Sequence, residues 1–285
     1  MALSFTDGSI FFGEQFKLPE TTILIKNKAI GDLIRSFPEV NTVTESLGAN
    51  FPCLIVGGAI RDVLLDPTCK PKDFDMQVVG AKADILAMLK KTYREDELTL
   101  NPIAVVVCKT TETLEINLRE AMQTYFDCNY VESNVNSLMF DLDTDNIIDI
   151  FGNGVSDCED RQFRVVASSM ADWHEFPEPP RVYNGKLVRV LKMFAKGFTF
   201  ADESQMKEFL RLFEDTFDNH CQHVIAGKFS TFAMVLGHTV RGDILNFKDG
   251  TVCRGDAPLY DACIKALAEI NPAIAQRLVA HMADF

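Results

Sequence analysis

Hydrophobic and polar positions follow two different periods along this chain. CLIV at 53–56 is a short apolar run typical of a buried strand, and TLEINLRE at 113–120 alternates apolar and polar positions as a strand in a sheet does. Further along, apolar residues recur every three or four positions, for example at 206–217, which predicts helices with one buried face. We therefore predict an α+β fold, with a strand-rich domain over residues 1–170 and an all-helical domain over residues 171–285.

The first 52 residues contain two weaker patterns. ETTILIKN predicts a strand, and IGDLIRSF predicts a short helix near Ile30–Phe37. We expect both elements to lead into the sheet that the following strands form, and we assign no chemistry to them.

The stretch that follows joins a buried strand to a glycine turn, a helix and a second strand. Gly57 and Gly58 come directly after CLIV, and glycines at a helix start let backbone N–H groups approach a phosphate. Arg61 lies in the first turn of that helix, where a guanidinium can bind phosphate oxygens. In KDFDMQVV, Asp73 and Asp75 alternate with apolar positions and so share one face of a strand. Two carboxylates on one strand face suit Mg²⁺, which prefers oxygen ligands.

Composition narrows the classes of protein to which this chain can belong. The 285 residues carry a formal net charge of −13, which argues against a broad electrostatic surface for nucleic acid but leaves room for a nucleotide pocket with a few cations. No apolar run approaches the roughly 20 residues that span a bilayer, and the N-terminal residues do not resemble a signal peptide. The eight cysteines form no CxxC pair, as is typical of reduced thiols, so we expect a cytoplasmic protein without membrane contact.

The ordered motif GGAIRDVLL, followed by a short loop and KDFD, resembles the signature of the tRNA nucleotidyltransferase (CCA-adding enzyme) and bacterial poly(A) polymerase family. That family carries GGxVRDxLL, a short loop and DxD, and the resemblance covers residues 53–200. It implies a polymerase-β-like nucleotidyltransferase head, in which helices flank a mixed sheet, followed by a helical neck and body. It also implies the activity, which is transfer of NMP from ATP or CTP to the 3′ end of an RNA, above all tRNA, with Mg²⁺ as cofactor.

The strand TLEINLRE is similar to the family pattern fEixxlR, with Glu115 and Arg119 at matching positions. The resemblance implies that Glu115 joins Asp73 and Asp75 as a third metal carboxylate and that Arg119 contacts the nucleotide. A strand that pairs beside Asp73 and Asp75 would bring Glu115 to the same metal ions. The alternative is a solvated, amphipathic edge strand without a role in chemistry.

NYVESNVNSLMFD, with IIDIFGNG after it, is similar to the family segment RRDFTINAxAYD…DxFGG, which helps to hold the sugar and triphosphate. Asn136 matches the Asn of that segment and could orient a ribose hydroxyl, although an Asn that caps a turn is the alternative. Tyr130 and Val131 replace the two arginines, and Glu132 replaces the Asp. Either Arg119 or another cation takes over from these arginines, or nucleotide binding is altered.

A basic stripe on a predicted helix supplies the last candidate residues for nucleotide binding. Residues 181–201 contain no acidic residue, and this segment resembles the family's EDPxRxLRaxRF, with Arg189 and Lys192 at its later basic positions. The EDxxR element, which selects the base in the family, has no match here, because VYNGK stands in its place and offers Lys186 instead. We expect Lys186, Arg189 and Lys192 to contact the nucleotide, and the alternative is a solvated basic face.

Three functions follow from these residues. The first is Mg²⁺-dependent addition of nucleotides to RNA, with Asp73, Asp75 and Glu115 as metal ligands and catalytic residues. The second is a nucleotidyltransferase that modifies a protein or a small molecule. The third is a catalytically degenerate member that only binds nucleotide or a partner. The intact aspartate pair speaks against the third function, whereas the missing RRD arginines and EDxxR element speak for it. The sequence does not indicate an oligomeric state.

Overall fold

The computed structural model describes these residues: 5–6, 9–10, 20–49, 51, 53–69, 71, 73–78, 80–100, 105–108, 115–120, 132–166, 190, 193–194, 196–219, 245–246, 252–253 and 257–283. The chain divides into two compact units, Met1–Asp160 and Arg161–Phe285. This division lies ten residues before the boundary expected from the sequence. The roles of the two parts as a catalytic head and a helical neck and body stay predictions.

The first unit alternates strands and helices. Its elements in chain order are β1 (Phe5–Thr6), β2 (Ser9–Ile10), β3 (Ile23–Lys26), α1 (Lys28–Arg35), α2 (Pro38–Leu47), β4 (Cys53–Val56), α3 (Gly58–Leu65), β5 (Asp73–Val78), α4 (Lys82–Leu89), β6 (Leu98–Leu100), β7 (Val105–Cys108), β8 (Glu115–Glu120), β9 (Met139–Asp141), β10 (Asn146–Asp149) and α5 (Gly154–Glu159). Short 3₁₀ turns at Glu95–Glu97 and Asn134–Asn136 precede β6 and β9. The strands at 53–56, 73–78 and 115–120 fall where the apolar patterns predict them.

Eight strands form one sheet in the order β3-β10-β9-β4-β5-β8-β7-β6. Every neighbouring pair runs antiparallel except β5 and β8, which run parallel. The sheet is therefore mixed, as predicted. The N-terminal strand is also confirmed, because β3 pairs with β10 at one edge of this sheet. The predicted helix near Ile30–Phe37 is shorter than expected at its end: α1 stops at Arg35, and α2 begins at Pro38, where a proline suits the first turn.

A hydrophobic core joins the sheet to its helices. On β5, Phe74, Met76 and Val78 are fully buried, and the ring of Phe37 meets the ring of Phe74 edge-on at 5.3 Å. The buried helix residues in this core are Ile30, Ile34, Val40, Val43, Leu47, Ala59, Ile60, Val63, Ile85 and Leu89. Since each fully buried side chain of this size contributes about 1.5–3 kcal/mol, the alternating apolar positions of β5 fix which face of the strand meets the helices.

Helices dominate the described residues of the second unit, at Glu203–Asn219, Ala257–Ile270 and Pro272–Ala283. The structure adds short strand pairs that the apolar pattern did not indicate: β11 (Gln162–Phe163) with β12 (Thr199–Phe200), and β13 (Leu245–Asn246) with β14 (Val252–Cys253). An aromatic cluster explains the first pair. Its members are Phe163, Phe194, Phe200 and Phe209, with ring centroids 4.5–5.9 Å apart. Aromatic packing of this kind favours a local pairing that periodicity alone does not reveal.

Two smaller expectations concern membranes and cysteines. In the part of the chain that the structure describes, no helix has the length and apolarity required to cross a bilayer. Within the described part of the chain, Cys53, Cys69 and Cys158 are not joined in disulfide bonds. Burial, with a contribution from the charges of Asp143 and Asp141, raises the pKa of the Cys53 thiol to about 12. This thiol is therefore unreactive at neutral pH, as expected for a cysteine that fills the core.

Candidate active site

A tight glycine turn connects β4 to α3. Gly57 has a φ of 79°, in the left-handed region that favours glycine, and α3 begins at Gly58. The N–H of Gly57 donates to the carbonyl of Leu138 at 3.0 Å. That bond ties the turn to the residues before β9, so a phosphate at this turn would meet the N–H groups that start α3.

Arg61 lies beside this turn but is buried. Its Nε and Nη2 donate to Oδ1 of the neighbouring Asp62 at 2.8 and 2.6 Å, and its Nη1 donates to Oδ1 of Asn136. Only 4% of Arg61 is exposed. The structure thus brings together Arg61 and Asn136, two residues predicted to bind nucleotide, and places them in contact with each other. Their direct contact with a nucleotide stays a prediction.

The two aspartates of β5 lie at positions that alternate with the core residues of the same strand. Phe74 and Met76 are buried in the core, while Asp73 and Asp75 occupy the other set of positions. Asp75 is half-buried, and its register partner on β4 is Val56, which is 2% exposed. The carboxylate face of β5 therefore has an apolar neighbour on one side, which strengthens any electrostatic interaction made there.

On the other side of β5 lies β8, in parallel register. Glu115 is the partner of Asp73, Asn117 that of Asp75, and Arg119 that of Gln77. Neighbouring strands are about 4.8 Å apart, so this register sets the backbone of Glu115 directly beside that of Asp73. The predicted pairing of the TLEINLRE strand with the aspartate strand is confirmed, and β8 lies between β5 and β7 and is not an edge strand.

The structure gives the backbone positions of the three carboxylates predicted to bind a metal ion. Asp73, Asp75 and Glu115 stand at adjacent positions of two paired strands, and carboxylate oxygens are the ligands that Mg²⁺ prefers. Among the side chains that the structure describes, no three His, Cys, Asp or Glu form a metal-binding group. That set includes Asp75 but neither Asp73 nor Glu115, for which only the backbone position in β5 and β8 is described. Their role as metal ligands stays a prediction.

The turn after β10 contains a carboxylate with a structural role. Asp149, at the end of β10, is 1% exposed. Its Oδ1 accepts from the N–H groups of Phe151 and Gly152 at 3.2 and 3.0 Å, and its Oδ2 accepts from Val155 N–H at 3.0 Å. Gly152 has a φ of 72°, and a Cβ there would lie 2.7 Å from the carbonyl of Thr21. The DIFGNG motif therefore builds the turn between β10 and α5.

A second buried polar network lies next to this turn. Asn134 is 1% exposed, and its Nδ2 donates to Oδ2 of Asp157 at 2.6 Å and to Oδ1 of Asn153 at 2.8 Å. Ser137 Oγ donates to the carbonyl of Asn134 at 2.5 Å. Sequence reasoning did not single out Asn134 or Asp157. The signal available in the sequence was the run of short polar residues in SNVNS between apolar neighbours, a composition typical of a buried, hydrogen-bonded turn.

The turn between β9 and β10 contains another buried aspartate. Asp141 is fully buried and accepts from Asp143 N–H at 2.9 Å and from Thr144 Oγ1 at 2.7 Å. Burial raises the pKa of Asp141 above its ordinary value, and these hydrogen bonds oppose the shift. Asp145 of the same turn accepts from Arg35 Nη2 at 2.7 Å, which ties the turn to α1. Asp141 therefore shapes a turn.

The structure does not describe the side chains of the remaining predicted nucleotide ligands. Lys186, Arg189 and Lys192 are outside the described residues, and Arg119 is described only by its backbone position in β8. Val190 and Phe194, two of the apolar positions of the predicted basic helix, are helical and buried. Their burial agrees with the apolar face predicted for that helix.

Part of this sheet, together with its glycine turn, is similar to a known protein family. Residues 53–164 match the family described as the poly A polymerase head domain. This segment of the chain is therefore similar to the poly A polymerase head domain. The matched residues contain the glycine turn, both aspartates of β5, all of β8 and the segment 132–157. The family resemblance inferred from GGAIRDVLL and KDFD is therefore confirmed.

Solved structures share the fold of this chain. They include a CCA-adding enzyme in complex with ATP (TM-score 0.61, 15% identity, 87% of this chain), one in complex with CTP (0.60, 16%, 89%) and the Thermotoga maritima CCA-adding enzyme complexed with tRNA-CCA (0.53, 17%, 92%). The matches cover 55%, 56% and 55% of those chains, so this chain spans a little over half of their length. A sequence search of curated proteins found no match. At these identities the likeness shows the fold alone.

Proposed function

We propose that this chain is a Mg²⁺-dependent nucleotidyltransferase that adds NMP from ATP or CTP to the 3′ end of an RNA, with tRNA as its acceptor. One observation carries the proposal: β8 pairs in parallel with β5, so that Glu115 is the register partner of Asp73 on the strand that also holds Asp75. The head-domain match and the fold shared with CCA-adding enzymes solved with ATP, CTP and tRNA-CCA support the choice of substrates.

In this proposal each part of the site has a separate task. Asp73, Asp75 and Glu115 hold the metal ion, and the N–H groups at the start of α3 receive the triphosphate. Bound Mg²⁺ would neutralise phosphate charge and lower the pKa of the acceptor hydroxyl. That hydroxyl gives its proton to solvent and attacks the α-phosphorus. A new phosphodiester bond forms, the bond between the α-phosphorus and the oxygen that bridges to the β-phosphate breaks, and pyrophosphate leaves. The position next to Asp75 on β4 is held by Val56, which is apolar and buried.

A second candidate function is transfer of NMP to a protein or a small molecule. Two features of the sequence favour it: the net charge of −13, which is unfavourable for a large RNA, and the substitution of the RRD arginines by Tyr130 and Val131. A nucleotidyltransferase with a compact acceptor requires neither a broad basic surface nor the contacts that arginines make with an RNA backbone.

Labelling experiments separate these functions. The protein is incubated with Mg²⁺, each α-labelled NTP in turn, and either tRNA transcripts that lack part of their CCA end or a protein extract. We expect label on the tRNA from CTP or ATP. Label on protein or on a small molecule instead would favour the second function, and nucleotide binding without any transfer would contradict both.

The variant Asp75→Asn tests the carboxylate site directly. It preserves the size of the side chain and removes the charge, and we expect it to lower the rate of transfer by roughly 10²–10³-fold or more, the size typical of losing one preorganised electrostatic contact to the transition state. Asp84→Asn is the matched control, because Asp84 lies exposed on α4, and its rate is expected to equal that of the wild type. Equal rates for the two variants would overturn the assignment of Asp75.

A further inference from the structure

Three polar side chains form a line from the glycine turn to the segment before β9. Arg61 Nη1 donates to Oδ1 of Asn136, and Asn136 Nδ2 donates to Oε1 of Glu132. At its other edge, the Arg61 guanidinium donates to Asp62. Arg61 is 4% exposed and Glu132 is 5% exposed, so the line joins two buried charges of opposite sign through one neutral amide.

The order of donors and acceptors along this line is fixed by chemistry. A guanidinium can only donate and a carboxylate can only accept, so the amide of Asn136 has to turn its oxygen to Arg61 and its NH₂ to Glu132. Hydrogen bonds to charged groups in a buried setting are stronger than those between neutral groups. The amide is therefore held in one orientation by both neighbours.

The same line borders the glycine turn. A Cβ on Gly58 would lie 3.2 Å from Arg61 Nη2, so the guanidinium packs directly against the first residue of α3. Gly57 donates to the carbonyl of Leu138, two residues beyond Asn136, at 3.0 Å. Arg61 also accepts, through its backbone carbonyl, a bond from Cys158 Sγ at 3.7 Å. The turn is thus attached to the residues before β9 by side chain and by backbone.

We propose that Glu132, Asn136 and Arg61 form a positioning triad that holds the glycine turn in the shape that binds the triphosphate of a nucleotide. This inference rests on the proposed function, because it takes ATP or CTP as the ligand. The three residues act on the nucleotide through the turn. Their interaction gives Glu132 a role that the sequence did not assign, and it gives Asn136 and Arg61 a role other than direct contact with ribose and phosphate.

Reversing the donor order provides the test. In Asn136→Asp, two carboxylates face each other at positions 132 and 136, and the bond between them is lost. Glu132→Gln alone removes the charge of the acceptor. In the double variant, which combines both substitutions, the new amide at position 132 donates to one oxygen of the new carboxylate at position 136. Arg61 donates to the other oxygen, so the line is restored with its donor order reversed at one bond.

The matched control is Asn271→Asp. Asn271 lies outside this network, and its Oδ1, which accepts from Ile274 N–H, is retained in Asp. The control therefore makes the same chemical change as Asn136→Asp at a position where the described bond needs only an accepting oxygen.

Three measurements read out each variant: the Kd for ATP with Mg²⁺ by calorimetry, the melting temperature, and hydrogen exchange of the backbone amides at 132–138. We expect Asn136→Asp to weaken ATP binding by roughly tenfold or more, the size associated with losing a hydrogen bond to a charged group, and to speed exchange at 132–138. The double variant is expected to recover most of both losses, and the control is expected to match the wild type.

If residues 132 and 136 acted independently of each other, the double variant would not recover ATP binding or slow hydrogen exchange. Recovery of both therefore supports the triad. A Kd for the double variant as weak as the two single losses combined would overturn the proposal, and so would an Asn136→Asp variant that binds ATP as the wild type does. If the wild-type protein binds no nucleotide, the proposed function fails. The triad is then judged on hydrogen exchange and melting temperature alone, where absence of recovery in the double variant would overturn it.

Discussion

Two polar regions of the first unit, the β5–β8 strand pair and the segment 132–157, use the same kinds of residue in opposite ways. On β5, Asp75 is half-buried at a position that alternates with core residues, so it is not part of the core. In the segment 132–157, Asp149 and Asp141 are buried and accept hydrogen bonds from neighbouring backbone and side-chain groups. Both regions belong to the matched head domain, yet the carboxylates described as holding backbone turns lie in the second region.

Residues that match one family pattern therefore require different interpretations. A carboxylate that satisfies several backbone N–H groups contributes to stability, because its removal leaves buried donors without a partner. On the β5–β8 pair, Asp73 is the register partner of Glu115, and like charges at paired positions oppose folding slightly. Binding of a cation by these carboxylates, as proposed above, would offset that repulsion. Variants of Asp149, Asp75 and Asp141 test this contrast, and variants of Gly57 and Gln77 test the glycine turn and the strand beside it.

The largest effect on stability is expected for Asp149→Ala. Three backbone N–H groups would lose their acceptor, and since a hydrogen bond to a charged group contributes about 1.5–3 kcal/mol, we expect a loss of at least about 3 kcal/mol in the free energy of unfolding. Urea denaturation measures it. Asp75→Asn, analysed in parallel, should keep most of its stability, and a larger loss for Asp75→Asn than for Asp149→Ala would contradict the contrast between the two regions.

The glycine turn is expected to tolerate a side chain poorly. Gly57→Ala places a Cβ on a residue with a φ of 79°, and the left-handed conformation costs a residue with a Cβ about 1–2 kcal/mol. The nearest atom to that Cβ would be the carbonyl oxygen of Asn136 at 3.8 Å, so no clash adds to this cost. Thermal unfolding gives the stability, and a stability equal to that of the wild type would show that the turn can take another conformation.

The pH dependence of stability should report on Asp141. Burial raises its pKa in the folded chain, so the folded state binds this proton more tightly than the unfolded state does. Its protonation therefore stabilises the fold at low pH, and this contribution is lost as the pH rises through the pKa of the folded state. Asp141→Asn, which cannot titrate, should lack this part of the pH dependence. Identical pH profiles of the unfolding free energy for the wild type and the variant would contradict the assignment.

The smallest effect is expected at Gln77. This residue is 1% exposed, and its Oε1 has no hydrogen-bond partner among the residues that the structure describes. Replacement of such an unpaired acceptor by an apolar side chain of similar size is nearly neutral or stabilising. We expect Gln77→Met to melt at the temperature of the wild type or slightly above it. A clear drop in the melting temperature would mean that the amide makes a bond essential to the fold.

Local patterns in the sequence predicted much of the first unit. The alternation in KDFDMQVV selects the buried face of β5 because a strand exposes alternate residues to opposite sides. The paired glycines predict the turn at Gly57, since its positive φ strains other residues. The short strands of the second unit escaped prediction because two-residue strands have too few positions to show a period.

The order of amino acids was enough to predict the main elements, the family and the alternation that separates Asp73 and Asp75 from the core. Which elements and side chains lie next to one another became known only from the folded chain. Parallel pairing set Glu115 beside Asp73 within a sheet of eight strands. The contact between Arg61 and Asn136 joins residues 75 positions apart, and it turned two predicted nucleotide ligands into neighbours of each other. No local pattern encodes such pairings, because they arise only when distant segments bury the same surface.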